Sequence, residues 1–226
     1  METRSLDVLS GKIVEIGALI EGSRSTFSTV VNPGQNISIE QPSVHGIPHE
    51  ELLLGPCFAE AFKRFCEFVR YVSLSELATD DDSEDDQPVA TAMRPDLDIM
   101  IVSHNGQKFD FPFLLSECMR AGIGSGAMAA WVYVDTLDVL RAVDSVGDCR
   151  KLHSVGDCRK LQCAFRSCSG SPGLRAHRAL DDCLALGCVV RHVCESLGVT
   201  PWMLLGHFGD RLDEVSICLG LSALLM

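Results

Sequence analysis

The chain has 226 residues and a mass of 24.6 kDa, which is enough for one domain with its own hydrophobic core. Hydrophobic residues make up 46% and charged residues 22% of the chain, and this composition excludes a wholly disordered or collagen-like protein. Nineteen basic residues against 31 acidic ones give a net charge of −12, which argues against a protein that coats long nucleic acid through a broad basic surface.

The sequence shows no sign of secretion or of a membrane anchor. Met1 is followed by polar residues rather than by the apolar segment of a signal peptide. No apolar run approaches the ~20 residues that a membrane helix needs. None of the eleven cysteines forms a C-x-x-C pair, so the spacing does not favour a zinc site. We therefore expect an intracellular protein whose reduced cysteines pack as small hydrophobic residues.

The first third of the chain predicts a hairpin and a helix. Residues 12–20 and 25–31 are rich in β-branched and apolar residues and are separated by a short polar turn, which is typical of a β-hairpin. Residues 57–72 carry phenylalanine and valine at helical spacing, which predicts an amphipathic helix. Residues 80–86 read DDDSEDD, so we expect a disordered acidic insertion at about 78–95.

Short strands then alternate with helices. The hydrophobic pattern predicts strands over 97–103 and 131–134 and helices over 112–120, 136–143 and 178–197. Such alternation after a hairpin predicts an α/β domain with a mixed central sheet flanked by helices. We expect this domain to span 1–198 and to be followed by a C-terminal helical segment at 199–226.

A tandem repeat interrupts the second half. SVGDCRKLH at 145–153 is followed directly by SVGDCRKLQ at 154–162. Two copies are too few for a solenoid. Because lengthening a surface loop costs little free energy, we interpret 145–162 as a duplicated loop whose second copy occupies the original position.

Two segments carry residues suited to chemistry. Asp110 follows a predicted buried strand and a polar loop, a position that suits a helix N-cap as well as a catalytic carboxylate. In the predicted helix 178–197, Asp182 lies at the edge of the buried face, where a carboxylate is costly without a partner. His177 converges with Asp182 only if it precedes the helix. The core face of this helix is predicted to comprise Ala179, Cys183, Leu186, Val190, Val193 and Leu197.

These segments resemble the motifs of a known enzyme family. HNGQKFDFPFLL at 104–115, followed by the H-x-x-x-x-D helix start at 177–182, resembles the second and third motifs of the DEDDh 3′→5′ exonucleases. The first of these segments most resembles the corresponding motif of the three-prime repair exonucleases. KIVEIGALI, VVNPG, VHGIPHEEL and VDTLDVLRA resemble other family segments in the same order. The resemblance covers roughly residues 2–197 and implies a ribonuclease-H-like fold.

The first family motif matches only in part. The family carries Asp-x-Glu at the end of its first strand, commonly followed by Thr, one residue and Gly. Met1-Glu2-Thr3 stands in that place, so Glu2 matches the glutamate, while the aspartate would precede Met1 and is absent. The resemblance therefore implies that the first strand is missing.

The resemblance also implies site roles. Phosphodiester hydrolysis by such enzymes uses two divalent ions, Mg²⁺ or Mn²⁺, about 3.5–4 Å apart, and these ions prefer oxygen ligands. Glu2, Asp110 and Asp182 would be catalytic and metal-binding carboxylates. His177 would be the catalytic general base, because imidazole accepts protons near neutral pH. Asn105 and Phe109 would contact the terminal nucleotide.

The implied function is metal-dependent 3′→5′ removal of 5′-mononucleotides from single-stranded DNA 3′ ends. Two alternatives stay open: a truncated, catalytically impaired exonuclease-like protein, and an RNA 3′→5′ exonuclease, because the residues do not distinguish ribose from deoxyribose. The resemblance of the segment around Asp110 to the repair exonucleases favours DNA over RNA as the substrate. We expect a nuclear or cytoplasmic location, or a mitochondrial one if a targeting segment precedes Met1, and the sequence leaves a homodimer open.

Overall fold

The computed structural model describes residues 1–3, 7–8, 10–23, 25–34, 45–77, 99–124, 126, 128, 130–145, 160–171, 174–175 and 177–211. The predicted acidic insertion at about 78–95 lies outside the described residues, and so does most of the predicted duplicated loop at 145–162. Within the described part, strands and helices combine into an α/β arrangement, as the sequence predicts.

The first sheet contains the predicted hairpin. Its strands are β1 (Glu2–Thr3), β2 (Ile13–Leu19) and β3 (Thr26–Val30), in the order β1-β2-β3. Both pairings are antiparallel. The turn between β2 and β3 contains Gly22 at φ +83°, a conformation that glycine adopts without steric cost.

Two helices follow the first sheet: α1 (His49–Leu54) and α2 (Phe58–Leu77). The predicted amphipathic helix is thus confirmed, and it runs several residues longer than expected. Its buried phenylalanines pack against Trp131, with the ring centroids of Phe65 and Trp131 6.0 Å apart in an edge-to-face arrangement. Such aromatic contacts stabilise a core beyond the area they bury.

The second sheet contains β4 (Met100–Ser103), β5 (Val132–Asp135) and β6 (Asp210–Arg211), in the order β4-β5-β6. β4 and β5 are parallel, whereas β6 is antiparallel to β5. The described strands therefore form two three-stranded sheets, where the sequence predicts one central sheet. In the described part, β2 pairs with β1 and β3, and β4 pairs with β5, so that no strand joins β2 to β4.

Five more helices follow within the described residues. They are α3 (Asp110–Arg120), α4 (Thr136–Ser145), α5 (Leu161–Ser169), α6 (Ala179–Leu197) and α7 (Pro201–Leu205), with a 3₁₀ turn at Gly206–Phe208. The predicted C-terminal helical segment thus begins with α7 and continues into a 3₁₀ turn and β6, and 212–226 lie outside the described residues. Helix α5 was not predicted from the sequence.

Helix α6 buries most of its predicted face. Ala179, Leu186, Val190 and Val193 are buried, Cys183 is half-buried, and Leu197 is 40% exposed. None of the helices formed by the described residues is by itself long and apolar enough to cross a membrane, although α6 and the segment 201–208 pass that test jointly, with a 94° bend between them.

The cysteines are only partly as expected. Burial raises the pKa of the Cys66 thiol to about 11 and that of Cys118 to about 12, in keeping with unreactive core residues. Cys163, in contrast, is disulfide-bonded. The expectation of reduced cysteines is therefore wrong at this position.

Candidate metal centre

Asp110 is the first residue of α3 and follows the loop that connects β4 to this helix. Its Oδ1 accepts a hydrogen bond from the Met1 α-ammonium at 2.7 Å, and its Oδ2 accepts one from the Ser103 hydroxyl. The intervening loop is tight: a Cβ at Gly106 would lie 2.7 Å from the Phe111 ring and 2.8 Å from Ser103 Cβ. The close packing of this loop sets the position from which Asp110 begins the helix.

A buried carboxylate that the sequence analysis missed shapes the same loop. Asp135, at the end of β5, accepts hydrogen bonds from the backbone N–H groups of Asn105 at 2.7 Å, Gln107 at 3.2 Å and Leu137 at 2.9 Å. These bonds hold Asn105 at φ +60°, an uncommon conformation that asparagine tolerates better than most residues. The signal available in the sequence was an aspartate at the end of an apolar strand.

His177 precedes α6, as its convergence with Asp182 requires. The helix begins at Ala179, and His177 adopts φ +66°, a left-handed conformation that costs roughly 1–2 kcal/mol for a residue with a side chain. Burial raises the pKa of Asp182, and the neighbouring His177 opposes that shift. Gln162 Nε2, on the unpredicted helix α5, donates a hydrogen bond to Asp182 Oδ1 at 2.9 Å.

The structure brings three of the predicted site residues together. Glu2, His177 and Asp182 each offer a ligand atom, and these atoms all lie within 4.8 Å of one another. Glu2 and Asp182 are half-buried, and the His177 side chain is exposed. Asp110 is outside this trio and reaches the same region through its ion pair with the Met1 ammonium.

The electrostatics show a concentration of negative charge. Burial raises the pKa of Glu2 to about 7; the nearby ammonium opposes this rise, and the neighbouring carboxylates of Asp182, Glu15 and Asp110 add to it. Burial also raises the pKa of Asp182, although its hydrogen bond from Gln162 opposes the shift. Carboxyls that resist ionisation in this way gain most from a bound cation.

A cation already lies among these acids. Burial alone would lower the pKa of the Met1 ammonium, but attraction to Asp110 and to further neighbours raises it to about 11. Carboxylate oxygens are the ligands that Mg²⁺ and Mn²⁺ prefer, so the carboxylates of Glu2 and Asp182 fit a divalent ion.

The predicted nucleotide contacts lie next to the cluster in sequence and differ in burial. Asn105 is half-buried in the loop between β4 and α3. Phe109 is partly buried and packs against the hydrophobic core, and Phe111 and Phe113 belong to the core itself at 1% and 0% exposure. Of the phenylalanines around Asp110, Phe109 is therefore the one that retains an accessible surface.

Comparison with known proteins supports an exonuclease family. No family model matches the chain. The chain is 29% identical over 143 residues to exonuclease DPD1, chloroplastic/mitochondrial, from Arabidopsis thaliana, and the match covers 62% of the chain. It spans 39% of the length of that relative. The chain is thus similar to part of an exonuclease, and its α/β arrangement is compatible with an exonuclease fold.

Proposed function

We propose that the protein is a metal-dependent 3′→5′ exonuclease of the DEDDh type that releases 5′-mononucleotides from single-stranded DNA ends. The observation that carries the proposal is the approach of Glu2, His177 and Asp182 to within 4.8 Å of one another. Asp110 reaches the same cluster through the Met1 ammonium. The similarity to an exonuclease supports the choice of hydrolytic chemistry on nucleic acid.

Each residue has a role that its position suits. Glu2, Asp110 and Asp182 would hold two Mg²⁺ or Mn²⁺ ions, which supply activation of the attacking water and stabilisation of the leaving 3′ oxygen. His177 would take the proton from that water as general base. Its exposed ring suits a group that faces incoming substrate.

The loop between β4 and α3 would bind the terminal nucleotide. Asn105 would offer its amide, and Phe109 its half-buried ring, next to Asp110. An aromatic ring provides a stacking surface that tolerates every base, which suits an enzyme that removes nucleotides without regard to sequence. The site takes one strand end, so it does not need a broad basic surface.

The first experiment measures degradation of a single-stranded DNA oligonucleotide by the full chain with Mg²⁺ or Mn²⁺. We expect a 5′-labelled strand to shorten stepwise and a 3′-labelled strand to release labelled mononucleotide at once. Chelation of the metal should abolish the activity. Asp110→Asn, Asp182→Asn and His177→Ala should each lower the rate by a factor on the order of 10² or more.

A matched control is an acid outside the cluster. Asp138 is exposed and paired with Arg141 at 2.6 Å on α4, so Asp138→Asn should retain full activity. Full activity in all three site variants, or in the presence of chelator, contradicts the proposal. Faster degradation of a matched RNA strand would replace DNA by RNA as the substrate. A folded protein with no nuclease activity would instead support the catalytically impaired alternative.

A further inference from the structure

Glu15 is a buried carboxylate next to the candidate metal centre and is not among its proposed ligands. It lies in the middle of β2 at 1% exposure. Its Oε1 accepts hydrogen bonds from Arg178 Nη2 at 2.9 Å and Nε at 3.2 Å, and its Oε2 accepts one from the backbone N–H of Ala179 at 2.8 Å. One side chain on a strand therefore holds two consecutive residues at the start of α6.

The contacts take the place of an ordinary helix cap. Arg178 is the N-cap of α6 and has an extended backbone, but its side chain does not cap the helix. The carboxylate of Glu15 accepts from the N–H of Ala179, the first helical residue, which has no acceptor within the helix, and it places negative charge where the helix dipole favours it. The beginning of α6 is thus determined by β2, a strand more than 160 residues earlier in the chain.

A steric contact on the same strand face acts at the same place. Gly17 lies two residues after Glu15, so both positions face the same side of β2. A Cβ at Gly17 would lie 2.6 Å from the carbonyl carbon of Ala179 and from the nitrogen of Leu180. Strand and helix backbone are therefore in direct contact, and the Glu15 contacts fix the direction from which the helix begins.

The charge arrangement gives Arg178 a second effect. Glu2 on β1 is the register partner of Glu15 on β2, so two carboxylates occupy neighbouring positions on one face. Arg178 pairs with Glu15 and thereby neutralises one of these charges. Glu2 offers a ligand atom to the trio that it forms with His177 and Asp182.

We propose that Glu15, through Arg178 and Ala179, is a positioning residue that sets His177 against Asp182 and Glu2. His177 immediately precedes Arg178 and has a left-handed backbone, and Asp182 lies in the first turn of the same helix. Fixing residues 178 and 179 therefore fixes both sides of this pair. The inference rests on the proposed function, in which His177 acts as general base.

The kinetic test is a double-mutant cycle with His177. Glu15→Gln keeps the size of the side chain and removes its charge and one acceptor. We expect it to lower kcat about ten- to hundred-fold while KM for single-stranded DNA stays within about two-fold. In the His177→Ala background the same substitution should lower kcat by less than about three-fold. An equal loss in both backgrounds overturns the inference, because a merely structural role acts regardless of His177.

A second readout does not depend on activity or on metal. Hydrogen exchange in the metal-free protein should be at least about ten-fold faster for the peptide that covers 177–182 in Glu15→Gln, and unchanged for a peptide from α3. Unchanged exchange at 177–182 overturns the inference. If His177→Ala alone leaves the rate unchanged, the proposed role of His177 fails, and the exchange result still decides the positioning role of Glu15.

Two further variants complete the design. Arg178→Lys keeps the positive charge at a half-buried position but loses the pair of hydrogen bonds from the guanidinium to Glu15. It should therefore lower kcat, as Glu15→Gln does, and it serves as the test if Glu15→Gln fails to fold. Glu21→Gln is the matched control, since the Glu21–Arg191 pair at 3.0 Å also connects the β2 end to α6, but on the surface and away from His177. It should leave kcat within about two-fold; a loss equal to that of Glu15→Gln overturns the inference.

Discussion

Adding a single methyl group at Gly17 is expected to separate β2 from the start of α6. The new Cβ would lie 2.6 Å from Ala179 C and Leu180 N and 2.9 Å from Ala179 O, whereas ordinary contact begins at about 3.4 Å. All three atoms belong to the helix backbone, so no flexible side chain can move aside. Strand and helix must therefore move apart by about 1 Å in Gly17→Ala.

Two opposing effects decide the stability of this variant. Alanine loses less conformational entropy on folding than glycine, which favours the variant by roughly 0.5–1 kcal/mol. Forcing an extra methyl group into a packed contact costs about 1–3 kcal/mol, and more where backbone atoms must shift. The overlap is expected to win. For a chain of this size each kcal/mol corresponds to about 2–4 °C, so the thermal midpoint should fall by several degrees.

The same movement should affect activity more than stability. It displaces His177 and Asp182 relative to Glu2, and a displacement of about 1 Å can cost on the order of 10² in rate. The assays are thermal unfolding followed by circular dichroism, and exonuclease rate well below the midpoint. Gly124→Ala is the control, because a Cβ there has no neighbour within 4 Å. If Gly17→Ala matches this control in both assays, the close contact between β2 and α6 is refuted.

Three further predictions concern the electrostatics of the site. The pKa of Glu2 is raised to about 7, and a divalent ion must displace its proton. Mn²⁺ affinity measured by calorimetry should therefore rise with pH up to about 7 and then level off. The same dependence of affinity on pH in Glu2→Gln would contradict this prediction. Gln162→Leu removes a hydrogen bond that favours the ionised form of Asp182, so the pKa of Asp182 should rise further. Mn²⁺ binding at pH 5.5 should then weaken by about three- to ten-fold. Equal Mn²⁺ binding by the variant and the unchanged protein would contradict this prediction. Asp135→Asn leaves backbone N–H groups without their charged acceptor and should lower the free energy of unfolding in urea by about 1–3 kcal/mol. The control Asp138→Asn, at an exposed position, should lower it by less than about 1 kcal/mol. Similar losses in the two variants would argue against the role of Asp135 in holding the loop.

The elements that the sequence predicted share a strong local pattern. The hairpin of β2 and β3, the amphipathic helix α2 and the long helix α6 all follow from hydrophobic periodicity, and the structure confirms them. Helix α5 was missed because its first two residues, Leu161 and Gln162, belong to the duplicated segment 145–162 that was interpreted as loop; the loop prediction is wrong for these two residues. Strand β6 was missed because it has two residues, and only its pairing with β5 makes it a strand.

The candidate site divides in a similar way. Its main residues were found because they lie in recognisable motifs, and their proximity depends on contacts between distant segments. Asp135, Gln162 and Glu15 were overlooked because each acts through a backbone or side chain far away in the chain. A lone acid in an apolar strand was the signal for Glu15, but nothing local to it indicated a partner at Arg178.

The sequence by itself determined which residues are available for chemistry and where the strongly periodic elements lie, because those properties depend on residue type and on periodicity over a few turns. Only the tertiary structure decided that Glu2, His177 and Asp182 meet, since their approach depends on β1 pairing with β2 and on β2 contacting the first turn of α6. It also decided that His177 lies outside the helix in a left-handed conformation. Such a conformation is unfavourable locally and persists only where surrounding contacts hold it.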